Sequence, residues 1–427
     1  MQTVVTSPEA LKRAALPYRA WLGQARRCAL AAWFPLALTA AVLVLYAPSI
    51  AYPVHWDDPS WYAQGQGMSL IELLRAVPTY QFYRPLTMHV ARLLTTPGGV
   101  VRVVGAHVLQ IGAHLAIALG VFVLALRMGL GCWPARLAAL LFALHPFSFQ
   151  AVAWQGAHQP LSTLAAVASV LAADAYAVGL RAGRRRVGLL LTSVAAYAAG
   201  LLLQESVLPL VWVFGWIALD APRRTPLPRR ERLWPLGHLA LTCAYAAVWL
   251  SIPRTQEITG QGFQPIVLAY LLQGVAFPLG WPLVQVGAAD WPVGALLAAL
   301  AAGAGLLVWA AARGTSRRIA TLGALWVASS IAPVWAGLGW DYVSVGPRLF
   351  YAAAPGVALL FAAASPLTGR GGRRARAIWL ALLVALPLAV CIRDGADQQR
   401  LAEAAFRHQA RAIDVMASRP GQRLLLV

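Results

Sequence analysis

Long apolar runs separated by short polar or basic breaks dominate the chain. Runs long enough to cross about 30 Å of hydrocarbon predict eleven spans, at 28–50, 103–126, 135–151, 160–180, 187–203, 206–220, 235–252, 292–312, 319–339, 350–367 and 377–392. Polar residues inside these runs are not scattered. His107, Gln110 and His114 fall on one helical stripe of the second run, which turns them toward protein or water and away from lipid. Asp174 lies within the fourth run, where an acid needs a partner. Two breaks are large. The first holds Met68 to Val77, in which Leu70, Ile71, Leu74 and Val77 share a helical face suited to a membrane surface. The second, Pro253 to Pro292, holds an apolar segment around Ile266 to Phe277 that reads as a lid or lipid-facing element. After the last span, Ala402, Phe406, Ala410, Ile413 and Met416 share a face and predict a helix in the tail.

Composition agrees with this layout. A chain that is 59% hydrophobic and 12% charged is not an ordinary water-soluble domain, and continuous apolar runs of this length predict an all-α polytopic membrane protein. Basic residues supply the orientation. Lys12, Arg13, Arg26 and Arg27 precede the first span, and Arg127, Arg136, Arg184, Arg185, Arg186, Arg223, Arg224, Arg229, Arg230, Arg317, Arg318, Arg373 and Arg374 lie in alternate breaks. Short cytoplasmic loops retain Lys and Arg, so the N-terminus is expected inside and the C-terminal tail outside. The expected organisation is a cytoplasmic amphipathic segment at 1–27, a transmembrane domain at 28–392 and an extracytoplasmic helix and tail at 393–427, in a bacterial inner (plasma) membrane. The net charge of +20 is then a topology signal with an affinity for anionic lipid. Without interleaved stacking aromatics it does not read as nucleic-acid binding. Cys28, Cys132, Cys243 and Cys391 show no C-x-x-C spacing, and neither a disulfide framework nor a zinc site is expected.

With the orientation set, the outward-facing polar residues form a constellation. Asp57 and Asp58 stand side by side just after the first span, Tyr83-Arg84-Pro85 closes the same break, His107 opens the second span, Glu205 lies in the turn after the fifth, and Arg348 and Tyr351 lie at the mouth of a later one. Carboxylates suit a general base or a divalent cation; Asp57, Asp58 and Glu205 are the candidate ligands if a cation is used. Arg84 and Arg348 suit a phosphate, because a guanidinium is a permanently charged bidentate donor. His107, Glu205 and Tyr351 are candidate supporting residues. The same pattern also fits a transporter or flippase of a lipid-linked anion, or a decayed site with no chemistry. G-x-x-x-x-G-K-[ST], H-E-x-x-H and G-x-S-x-G are all absent. With Lys12 as the single lysine, on the inner side, Schiff-base chemistry has no candidate.

Paired acids in the first outside loop followed by Tyr83-Arg84-Pro85-Leu86, then Leu140 to Pro146 with Ala151 to Trp154, Leu203-Gln204-Glu205 with Pro209, and Arg348 to Tyr351, together resemble integral-membrane glycosyltransferases of the GT-C superfold. The resemblance is nearest to the protein O-mannosyltransferase-like group, including the tetratricopeptide-bearing O-mannosyltransferases, and runs in order over about residues 30 to 415. It implies transfer of a sugar from a polyprenyl-phosphate donor to an acceptor hydroxyl of a protein or glycan on the extracytoplasmic face, with inversion at the anomeric carbon as the expected outcome. It also implies that Asp57 or Asp58 is the catalytic acid of the first loop and that Arg84 and Arg348 hold the donor phosphate. Gln150, Gln204 and His158 stand where that family usually has Glu, Lys and Arg, and the tetratricopeptide domain is missing from this sequence.

Overall fold

A computed structural model describes residues 33–52, 62, 67–75, 82–96, 99–145, 147–154, 156, 158–219, 229–252, 262–276, 315–344 and 346–364, with isolated residues from 389 to 404. Among them the chain is helical, with one isolated antiparallel bridge between Thr95 and Val101. The helices are α1 (Trp33–Tyr46), α2 (Leu70–Arg75), α3 (Pro85–Leu93), α4 (Val103–Met128), α5 (Cys132–Ala143), α6 (Ser148–Ala153) and α7 (Gln159–Arg181). They continue as α8 (Val187–Leu203), α9 (Val211–Leu219), α10 (Leu236–Ser251), α11 (Pro265–Ala276), α12 (Thr315–Gly337), α13 (Trp340–Ser344) and α14 (Ala354–Ala364). Short 3₁₀ segments Ala47–Ala51, Glu205–Leu210 and Pro347–Ala353 extend α1 and lead into α9 and α14.

Six described helical segments are long and apolar enough to cross a membrane: Trp33–Ala51, Val103–Met128, Gln159–Arg181, Arg230–Ser251, Ser316–Gly337 and Pro347–Ala364. Cys132–Ala143, Val187–Leu203, Glu205–Leu219 and Pro265–Val275 are shorter apolar helices. The protein is an all-α membrane protein. The expected spans at 292–312 and 377–392 and the expected tail helix lie outside the described residues, isolated positions apart.

The expected span at 135–151 is corrected. It divides into α5, which stops at Ala143, and α6, which starts at Ser148. Pro146 explains the stop, because proline offers no amide donor and disfavours helical backbone at the preceding residue. Residues 148–153 therefore form a separate helix, and every residue of α6 is buried. Cys132, whose spacing gave no reason to expect a bond, carries a disulfide.

Lipid is as apolar as leucine, so packing and polar links hold such a bundle together more than burial does. A Cβ on Gly323 of α12 would stand 2.6 Å from the Gly356 carbonyl oxygen of α14, and one on Gly356 would stand 2.6 Å from that of Gly323. Glycine on both sides lets these backbones touch. On α7, Ser169 donates to the Ser193 carbonyl of α8 at 2.7 Å, Ser193 donates back to the Ser169 carbonyl at 2.9 Å, and the Ser193 hydroxyl also meets His238 Nε2 of α10 at 2.9 Å. Asp174 has the partner its position demanded, Arg127 on α4, whose Nε donates to Oδ2 at 2.8 Å. The stripe of His107, Gln110 and His114 is buried as expected.

The segment expected as a lid forms α11, and it docks rather than floating. Val267 and Leu271 are fully buried in an apolar cluster with Phe147, Val327 and Phe350. Gln264 accepts from Trp335 Nε1 through its carbonyl at 3.1 Å and from the Trp340 amide through its side chain at 2.9 Å.

Candidate functional site

Helix ends at one end of the bundle bring three of the sequence-selected residues into one polar cluster. Arg84 is the N-cap residue of α3, where Pro85 starts the helix in keeping with its fixed φ and missing amide donor. The segment around it is pinned on three sides. Tyr83 donates from its hydroxyl to the Leu74 carbonyl at 2.7 Å, its own carbonyl accepts from the Tyr245 hydroxyl at 2.8 Å, and the Thr87 hydroxyl donates to the Leu203 carbonyl at 2.8 Å. Arg84 is thus fixed against α2, α10 and α8 before its own side chain is considered.

That side chain makes a fork. Nε donates to Glu205 Oε2 at 2.8 Å and Nη2 donates to Oε1, a bidentate pair across two segments far apart in sequence. Its third nitrogen, Nη1, lies 2.7 Å from His158 Nε2. A guanidinium can only donate, so His158 Nε2 accepts and the ring is neutral with its proton on Nδ1. The surroundings enforce that state: burial, then the positive charges of Arg84 and Arg348, hold the His158 pKa well below its ordinary 6.5, opposed by a hydrogen bond with the Gly156 backbone. Burial would lower the Arg84 pKa, but the Glu205 charge and hydrogen bonds more than offset this and raise it.

Arg348 approaches from the 3₁₀ segment before α14 and is 5% exposed. Gln150 Oε1 accepts from its backbone amide and from Nη1, both at 3.2 Å. The Trp154 ring lies 4.2 Å from the guanidinium carbon, and the Tyr342 hydroxyl is 3.5 Å from Nη2. Gln150 belongs to α6 and Trp154 follows it, so the buried connector that replaces the expected long span is also the element that grips Arg348. Trp154 and His158, four residues apart, meet Arg348 and Arg84 respectively, and the charges of both arginines act on His158. The two guanidiniums therefore converge on one short stretch of chain.

Two further candidates, His107 and Tyr351, lie elsewhere among the described residues. His107 Nε2 meets the Tyr52 carbonyl at 3.2 Å, and Tyr351 is fully buried with its hydroxyl 2.7 Å from His114 Nδ1. Both tie elements together and neither joins the arginine cluster. Asp57 and Asp58 lie outside the described residues; Tyr52 and Tyr62 on either side are buried, and the Tyr52 carbonyl meets His107. Among the described residues no group of three or more His, Cys, Asp or Glu is placed to hold a metal ion. Glu205 directs both carboxylate oxygens to Arg84, a geometry that suits an ion pair better than a cation site.

His158, Gln150, Trp154 and Tyr342 belong to the cluster without having been selected as site residues. Gln204, next to Glu205, accepts from the Ser162 hydroxyl at 3.1 Å. Gln150, Gln204 and His158, the three departures from the resembled family, thus lie in or beside this cluster. Compared with family models, curated proteins and solved structures, the chain matches none of them.

Proposed function

We propose that the chain is a GT-C-type membrane glycosyltransferase with eleven spans, the third of them reduced to the short helix α5, that moves a sugar from a polyprenyl-phosphate donor to an acceptor hydroxyl on the extracytoplasmic face. The supporting observation is the convergence of two buried guanidiniums, Arg84 and Arg348, on the Trp154–His158 stretch at one end of the bundle. Two guanidiniums brought together offer permanently charged, bidentate donors suited to a phosphate, and at the end of a membrane bundle a lipid phosphate is within reach.

In this reading the acceptor oxygen attacks the anomeric carbon as its proton passes to Asp57 or Asp58. The bond from that carbon to the phosphate oxygen breaks, the anomeric centre inverts, and polyprenyl phosphate leaves with the electron pair. Phosphate is a competent leaving group, so donors aimed at its developing charge are the main requirement. Arg348 is the principal phosphate ligand. Arg84, held by Glu205 and His158, is a fixed positive wall whose remaining N–H groups complete the contact. Neutral His158 accepts from Arg84 without adding a third positive charge. Asp57, the first acid after the span, is the preferred base, with Asp58 orienting the loop.

Replacing Arg348 with Lys tests the donor assignment. The charge remains, but the planar fork shared by Gln150, Trp154 and a phosphate is lost. Binding of a polyprenyl-phosphate sugar is expected to weaken at least about tenfold, the scale of one charge-assisted contact. Unchanged donor affinity would remove Arg348 from the site.

A further inference from the structure

The opposite end of the bundle is rich in arginine, and three of the arginines there lean on protein. Arg127 bonds Asp174, Arg181 donates to the Ile217 carbonyl at 3.1 Å, and Arg318 lies 3.6 Å from Met128 Sδ. Arg136 differs. It lies in the second turn of α5, is 7% exposed, and leans back over the first turn as helical side chains do. Its guanidinium carbon is 4.7 Å from the Trp33 ring centroid, 5.0 Å from that of Trp133 and 5.5 Å from that of Phe34. Among the described residues, its Nε is buried with no hydrogen-bond acceptor.

Ring faces stabilise a cation, yet they leave its N–H donors unmet, and a buried donor without an acceptor is costly. The box therefore lacks an oxygen. Its rim indicates where that oxygen comes from. Trp33 and Trp133 are 51% and 56% exposed and 6.1 Å apart, at the starts of two apolar helices, where tryptophan in membrane proteins sits at headgroup depth. Leu36, one turn along α1 from Trp33, is also exposed and extends the apolar flank. The start of α5 has no side-chain cap, so its amide donors and positive dipole end reinforce the preference for an anion.

We infer that Arg136, boxed by Trp33, Phe34 and Trp133, is a binding site for the phosphate of an anionic phospholipid headgroup. Arg136 supplies the fork, the tryptophans hold it at headgroup level, and the exposed face of α1 receives an acyl chain. The site lies at the other end of the bundle from the Arg84 cluster and does not depend on the proposed glycosyl transfer.

The test uses the purified full chain in neutral detergent micelles, with native mass spectrometry and thermal unfolding read for added phosphatidylglycerol, phosphatidylcholine or inorganic phosphate. Phosphatidylglycerol is expected to bind and to raise the unfolding midpoint, with the other two showing little effect. Arg136→Gln is expected to weaken phosphatidylglycerol binding roughly tenfold, the scale of one charge-assisted contact. Trp133→Ala changes an exposed side chain and leaves Arg136 in place, so it serves where Arg136→Gln does not fold, and it is expected to weaken binding in the same direction. Equal stabilisation by phosphatidylcholine would overturn the headgroup assignment, and stabilisation by inorganic phosphate alone would make this a soluble-anion site. Unchanged phosphatidylglycerol binding in the folded variants would overturn the site itself.

Discussion

Removing one member of the Arg84–Glu205 pair should cost far more than removing both. The two side chains are 8% and 20% exposed, so the pair belongs to the buried class, in which deleting one partner costs about 3–5 kcal/mol because the other is left as an uncompensated buried charge. Glu205→Gln keeps the shape and one acceptor oxygen but leaves Arg84 against His158 without its counter-charge, and a loss of about 3 kcal/mol is expected. Arg84→Met strands Glu205 at the position with more solvent, where protonation can relieve part of the penalty, and the expected loss is about 2–3 kcal/mol. In the double variant neither charge remains, and its loss should be no greater than that of either single variant. The coupling is then at least about 3 kcal/mol, at the upper end for residues in direct contact. Reversible unfolding in mixed micelles titrated with dodecyl sulfate can read all four proteins by tryptophan fluorescence, since the chain carries 17 tryptophans. If the single losses simply add in the double variant, within about 0.5 kcal/mol, the two side chains do not form the bonded pair described.

His158 gives a pH prediction. Its folded pKa lies well below the ordinary 6.5, so below about pH 6.5 the unfolded state takes up a proton that the folded state refuses. Stability is complete above about pH 6.5 and falls as pH drops toward the folded value, by up to about 1.4 kcal/mol per unit. His158→Gln should flatten that part of the pH 7 to pH 5 profile, and an identical slope in the variant would show that the ring is not held neutral. At the α12–α14 crossing, Gly356→Val should cost about 1–3 kcal/mol, because its branched side chain must displace backbone that already excludes a single carbon. Unchanged stability in the same unfolding assay would mean that the helices are not in contact there.

The legible part of this fold was local. Apolar run length located α4, α7, α8, α10 and α12, and helical spacing placed His107, Gln110 and His114 on one buried stripe. The rule that an intramembrane acid needs a partner anticipated a bond for Asp174, although Arg127 could not be named from spacing. Run length failed at residues 144–147, where it carried the span at 135–151 on through Pro146. That break creates α6 and brings Gln150 and Trp154 to Arg348, a contact that a continuous span could not show. The Arg84–Glu205 fork joins positions that only tertiary packing brings together. His158 stood out in the sequence as a departure from the resembled family, but nothing in its spacing joined it to Arg84. The aromatic box at Arg136 was equally hidden, because its basic residue served the topology rule and raised no further question.

Turnover of a polyprenyl-phosphate-linked sugar by the purified chain, measured beside Asp57→Asn and Asp58→Asn with donor binding recorded for each, tests the proposed activity most directly. The account predicts that the unaltered chain transfers the sugar to an acceptor hydroxyl and that one of the two variants, Asp57→Asn by preference, loses about 10²- to 10⁴-fold in turnover while still binding donor. Equal small losses at both positions, or donor binding without transfer by the unaltered chain, would contradict it and make a carrier of lipid-linked anions the better description.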